Sequence, residues 1–242
     1  MGVVTLGNSN RVELENSSIE LAGVNVVTEI PISVNQDHGG LTGLSADDHP
    51  QYHNDARGDA RYYAQGTSWD DIRIPATSTQ TLGVSDPDFE VFRQDSGSTT
   101  TGVCSYFFAT DVEEELFFTI QLPHNYELET DLKPHVHWAV DTYPGAGTVR
   151  WGLEYTIIKE DGVVEYTTII YTSATDPTES FTRLTNSFTD IDGSSIDSLS
   201  CILMCRIFRD VSNDTFNQDA VLLEIDFHYQ IDGLGSSEPF VK

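Results

Sequence analysis

From about Trp69 onward, apolar and polar residues alternate in short runs, and clusters of Gly, Pro, Asp, Asn and Ser interrupt them at the spacing of antiparallel sheets. In VRWGLEYTI, Val149, Trp151, Leu153, Tyr155 and Ile157 alternate with Arg150, Gly152, Glu154 and Thr156, which predicts one buried and one wet face. The final run repeats the device. Val221, Leu223, Ile225, Phe227 and Tyr229 are expected on one face, with Glu224, Asp226, His228 and Gln230 on the other. Further strands are read in DFEVFR, CSYFFAT, ELFFTIQL, HVHWAV, VVEYTTIIYT and LSCILMCRIF, for a total of about eight. LSCILMCRIF is apolar on both faces, so it is expected either at the centre of a sheet or as one wall of a subunit interface, with Ile202, Met204 and Phe208 as the interface candidates. The expected fold is all-β: an antiparallel β-sandwich of jelly-roll type.

The pattern divides the chain in three. Residues 1–35 hold short β-type runs such as IELAGVNVVTEI with too little apolar material for a core of their own, an extended arm that needs a partner. Residues 36–68 crowd Gly, Asp and His without period and read as a neck, with a short helix from Asn54 that sets Ala56, Ala60 and Tyr63 on one face. Residues 69–242 form the β-sandwich head.

Charge narrows the classes of partner. The chain of 242 residues carries 39 Asp plus Glu against 12 Lys plus Arg, a formal net charge of -27, which repels phosphate backbones and anionic lipid. Nucleic acid is not an expected partner. No apolar run reaches a membrane span, and the start lacks a signal-peptide layout, so a chain made and kept in a cytoplasm is expected. The three cysteines, Cys104, Cys201 and Cys205, are too few and too irregular for a disulfide scaffold or a zinc site and read as buried small hydrophobes.

Residues 37–63, DHGGLTGLSADDHPQYHNDARGDARYY, resemble a linker motif of tail fibres and other virion-attached fibres of tailed bacteriophages. QLPHNYELETDLKPHVHW and DFHYQIDGLGS are similar to segments of phage structural proteins. The resemblance implies a homotrimeric virion part, assembled in the host cytoplasm. Its amino-terminal arm binds other virion proteins, and its distal domain is presented outward, to a host-surface glycan or protein. The alternative is a head-attached fibre or capsid decoration protein without a receptor role. A threefold neck would turn Leu41, Leu44, Ala56 and Ala60 to the axis, where only small or aliphatic residues let three chains approach.

Candidate chemistry is sparse. His135 and His137 share a strand face, so three copies around an axis offer six imidazoles to one metal; the competing reading turns both to solvent or a polar interface, and no metal or cofactor is expected. Asp47, Asp48, His49 and His53 read as turn, cap and packing residues of the neck, and Arg57-Gly58-Asp59 as a chance tripeptide within the motif. Asp190-Ile191-Asp192-Gly193 starts like a calcium loop, but Cys201 stands where the closing Glu belongs, so a turn is expected. His124 is a loop residue. Phosphate loops, nucleophile elbows and zinc-protease helices are missing from the sequence, and the chain is expected to be no enzyme. Tyr143, Tyr166 and Tyr171 are the aromatic candidates for stacking on sugar rings.

Overall fold

The computed structural model describes residues 68–97, 100–143, 145–175 and 178–238. The arm, nearly all of the neck and the expected helix at Asn54 lie outside the described residues. Among the described residues, ten strands form two antiparallel sheets: β1 (Ser68–Pro75), β2 (Asp88–Gln94), β3 (Gly102–Phe108), β4 (Glu115–Gln121), β5 (Lys133–Ala139), β6 (Thr148–Ile158), β7 (Thr168–Thr175), β8 (Arg183–Ser187), β9 (Ile202–Arg209) and β10 (Ala220–Ile231). Among the described residues the only helices are three short 3-10 turns, and no helix is long and apolar enough to cross a membrane.

The larger sheet runs β2-β3-β10-β5-β8, and the smaller runs β4-β9-β6-β7. Leaving aside β1 and β2, the order β3-β10-β5-β8 against β4-β9-β6-β7 makes every connection but the β6–β7 hairpin cross between layers, which is jelly-roll topology. β10 is the axis of the larger sheet. Its first residues, Ala220 to Leu222, pair with β3, and the rest of the same edge pairs with β1, from Glu224 against Pro75 to Ile231 against Ser68.

Inward side chains of the two sheets interdigitate. Trp138 of β5 meets Trp151 of β6 at 6.3 Å between ring centroids, Phe108 of β3 meets the same Trp151 at 5.0 Å, and Phe118 of β4 meets Phe227 of β10 at 6.3 Å. Each of these contacts crosses the sandwich, so the large aromatics lock the layers together. The Trp138 indole N–H donates to Asn186 Oδ1 at 2.8 Å, which satisfies a polar group that burial would otherwise penalise.

The structure corrects four expectations. In β10 the inward set is Ala220, Leu222, Ile225, Phe227 and Tyr229, because a bulge between Leu222 and Glu224 shifts the alternation by one residue. Val221 and Leu223 therefore leave the expected face. In VVEYTTIIYT only the second half is strand: β6 pairs with β7 from Thr168 onward, and Val163 to Thr167 have no ladder partner. β1 and β8 had no place among the expected strands. β8 turns Leu184 and the polar Asn186 inward, so its sequence, RLTNS, shows no apolar alternation. Cys104 is exposed, unlike Cys201 and Cys205.

Candidate functional site

The outer face of the larger sheet carries a cluster of ionisable groups. Strand alternation puts Lys133, His135 and His137 of β5 on that face, opposite Val136 and Trp138, which lie in the core. The ladder pairs His135 with Asp226 and His137 with Glu224 of β10, while Arg73 and Asp71 of β1 pair with Asp226 and His228. His135, His137 and Asp226 come together with their ligand atoms all within 4.8 Å of one another. His137 Nε2 stands 3.2 Å from Asp226 Oδ2, and Thr185 Oγ1 of β8 hydrogen-bonds His137 Nδ1 at 2.8 Å.

This polar patch is largely covered. The side chains of Asp226, His135 and His137 are 7%, 11% and 15% exposed. His135 Nε2 lies against Asp226 Oδ1, yet that buried oxygen receives no aligned hydrogen bond. The rings of His137 and His228 stand edge-on to His135 at 4.9 and 4.5 Å. Burial holds His135 below the usual imidazole range; Asp226 pulls it upward, and His228 and His137 push it down further. Around the cluster, the nearby charges are already matched. Arg73 forks onto Glu224 through Nε and Nη2, His228 Nε2 meets Asp71 Oδ1 at 3.0 Å, and Lys133 pairs with Asp190.

The outer face of the smaller sheet holds the suspected interface residues. β9 is central in that sheet, with Leu203, Cys205 and Ile207 in the core and Ile202, Met204, Arg206 and Phe208 outside. Burial pushes the Cys205 thiol well up, so it stays protonated. Met204 is 53% exposed and Ile202 half-buried. Phe208 is covered within its own chain: the Arg206 guanidinium lies 4.1 Å over its ring, Tyr171 stands edge-on at 6.0 Å, and Gly152 lies beneath. Arg206 binds Glu115 and Glu154 and reaches Glu113 at 3.4 Å. Beside Met204 runs a groove of about 620 Å³ whose walls include Gln80, Phe117, Thr119 and Thr156.

Other candidates resolve into structural parts. Asp192 caps the 3-10 turn Gly193–Ser195 by accepting from Ser194 N–H at 2.9 Å, and Ile191 is buried, so this segment is a turn. His124 is held between the Ser236 carbonyl and Ser200 Oγ at 3.0 and 2.9 Å. Tyr171 is engaged by Arg150 and Phe208, Tyr143 is 40% exposed, and Tyr166 is 98% exposed beside exposed Val163 and Val164. Leu41, Leu44, Ala56, Ala60, Asp47, Asp48, His49, His53 and the Arg57-Gly58-Asp59 tripeptide lie outside the described residues.

Two residues that matter most here left little signal in the sequence. Asp226 is 89 residues from His137 along the chain, and only the β5–β10 register joins them. Arg209 ends an apolar strand and is fully buried, where its fork meets Asp214 at 2.8 and 3.0 Å and the carbonyls of Phe108, Gln218 and Phe216 at 2.7 to 2.9 Å.

No protein-family model and no curated protein matches the chain. Among solved structures, it is similar to that of infectious bursal disease virus Gx strain, with 15% identity over 71% of this chain and 33% of that one, at a TM-score of 0.35. It is also similar to the CBM22-1-GH10 modules of the Clostridium thermocellum xylanase Xyn10B complexed with xylohexaose, with 9% identity over 70% of this chain and 27% of that one, at a TM-score of 0.34. The chain thus spans about a third or less of the structures it matches. Likeness at this level assigns neither partner nor activity.

Proposed function

We propose that this protein is a structural component of a tailed-phage virion, a homotrimeric fibre or spike whose amino-terminal arm mounts a jelly-roll head for binding the host surface. The observation that carries the reading is the neck motif of residues 37–63, placed directly ahead of the strand-rich head. The head itself supports a display role. Its described residues keep a closed aromatic core, while Val163, Val164 and Tyr166 project from the β6–β7 connection into solvent. Tyr166, free to lay a ring against a sugar, is the residue expected to meet a surface glycan. The outer face of the smaller sheet, centred on exposed Met204, is the wall offered to neighbouring copies.

The test is a mass and an image. Light scattering on the purified chain should give about three times 26.8 kDa. Met204→Asp, which without touching the core adds a charge to the groove that Glu154 also lines, should reduce the mass to that of one chain. A monomeric parent protein at micromolar concentration would refute the trimer. Electron microscopy of particles carrying a labelled chain then separates the two mountings: density on the tail supports receptor binding, and density on the head supports the decoration role.

A further inference from the structure

We propose that His135, His137 and Asp226 form a mononuclear site for a divalent first-row transition metal, one per chain, that clamps β5 to β10. This site differs from the threefold arrangement that the His-x-His pair alone would offer, and from the expectation of no metal, because its third ligand comes from the same chain. Three observations converge on it.

The first is spacing. Metal bonds to imidazole nitrogen and carboxylate oxygen are about 2.0 to 2.2 Å, which sets neighbouring ligand atoms about 3 to 3.5 Å apart. His137 Nε2 and Asp226 Oδ2 stand at 3.2 Å, and all three residues offer a ligand atom within 4.8 Å of the others. The second is a missing cation. Asp226 Oδ1 is buried and, although His135 Nε2 lies against it, receives no aligned hydrogen bond, a costly state for a carboxylate oxygen. Arg73, directly across the ladder, is taken by Glu224, and Lys133 by Asp190. An ion bound here replaces the direct His135 to Asp226 contact and satisfies that oxygen.

The third is orientation. Thr185 Oγ1 holds His137 Nδ1 at 2.8 Å, which leaves Nε2 facing Asp226, the way a ligating imidazole is fixed by a partner on its other nitrogen. His228 is tied to Asp71 and forms a wall of the site. Two imidazoles and one carboxylate favour Zn2+, Co2+ or Ni2+ over Mg2+ and Ca2+, which prefer oxygen ligands.

The full chain, stripped with chelator and kept in millimolar Mg2+ to occupy its acidic surface, is titrated with Co2+ alone. A visible absorption band saturating at one Co2+ per chain, displaced by Zn2+, is expected. His137→Ala and the near-isosteric Asp226→Asn should abolish the band, and His228→Ala should keep it. Thr185→Val, which leaves every ligand in place, should weaken Zn2+ by roughly 10- to 100-fold. The proposal is overturned by the lack of a saturating band, by a band that survives His137→Ala, or by saturation at one ion per three chains. The outcome does not depend on the virion reading, since it concerns a single folded head.

Discussion

Arg209 shows how one side chain can hold a corner of the sandwich together. Its five N–H groups are all directed at acceptors, two on Asp214 and three on the carbonyls of Phe108, Gln218 and Phe216, so the end of β3 and the loop after β9 share one cation. Removing it strips the buried Asp214 carboxylate of its counter-charge, leaving only the Arg150 and Phe216 N–H groups to hold it, and takes a donor from three carbonyls. Arg209→Met should cost about 3 to 5 kcal/mol in urea unfolding, and Arg209→Lys should recover only part, because an ammonium cannot reproduce the planar fork. Nearby, partial desolvation raises the Asp219 carboxyl, which keeps an exposed edge, above its ordinary range; Arg209 opposes the rise, and Asp141, Asp88 and Glu90 add to it. Burial likewise raises Glu114, with Asp88, Asp219 and Asp111 adding and the Ala109 N–H opposing. A folded pKa above the unfolded one favours folding fully below about pH 4 and withdraws that support as pH rises through the raised value. Asp219→Asn is therefore expected to raise the melting temperature at pH 7, with the difference from the parent protein closing toward pH 4. The sequence displayed His135 and His137 as a pair because two residues are one strand repeat, whereas Asp226 and Arg209 acquire their roles only from long-range pairing.

At the scale of elements, period-two alternation was readable wherever one face meets the core and the other meets solvent, as in β6, whose Val149, Trp151 and Leu153 are buried as expected. It failed where a strand breaks its own rule. The bulge at Leu222 to Glu224 inserts one residue, so the start of β10 is read on the wrong face, and RLTNS hides a strand because Trp138 needs a polar neighbour at Asn186. VVEYT looked like strand on composition, yet its apolar side chains find no layer to cover them. β9 was correctly read as doubly apolar, but one of its outer residues is covered from within. A Cβ on Gly152 would stand 2.2 Å from Phe208 Cζ, with Arg206 and Tyr171 enclosing the ring. Gly152→Ala should thus destabilise by about 1 to 3 kcal/mol through overcrowding. Combining it with Phe208→Leu should give less than the sum of the two single losses, a coupling measurable in a double-mutant cycle.

For the whole molecule, the sandwich was legible because so many segments shared one period, and the jelly-roll order followed from strand count as an expectation that the sheet topology bears out. The sheet neighbours themselves were not legible. β10 lies beside β3, β5 and β1, partners scattered across the chain, and no local pattern encodes such choices. The same placement of β1 has a mechanical side. Ser68, where the described chain enters the head, lies across from Ile231 in the first of eight successive pairs that end at Pro75 against Glu224, reinforced by Arg73 with Glu224 and Asp71 with His228. A pull along the strand from the chain ahead of Ser68, resisted by the body of the head, loads that ladder in shear, so its hydrogen bonds share the force and yield together. The same pull directed sideways would peel them one at a time. The head is therefore stiffest toward tension along β1 and weakest toward tension across it.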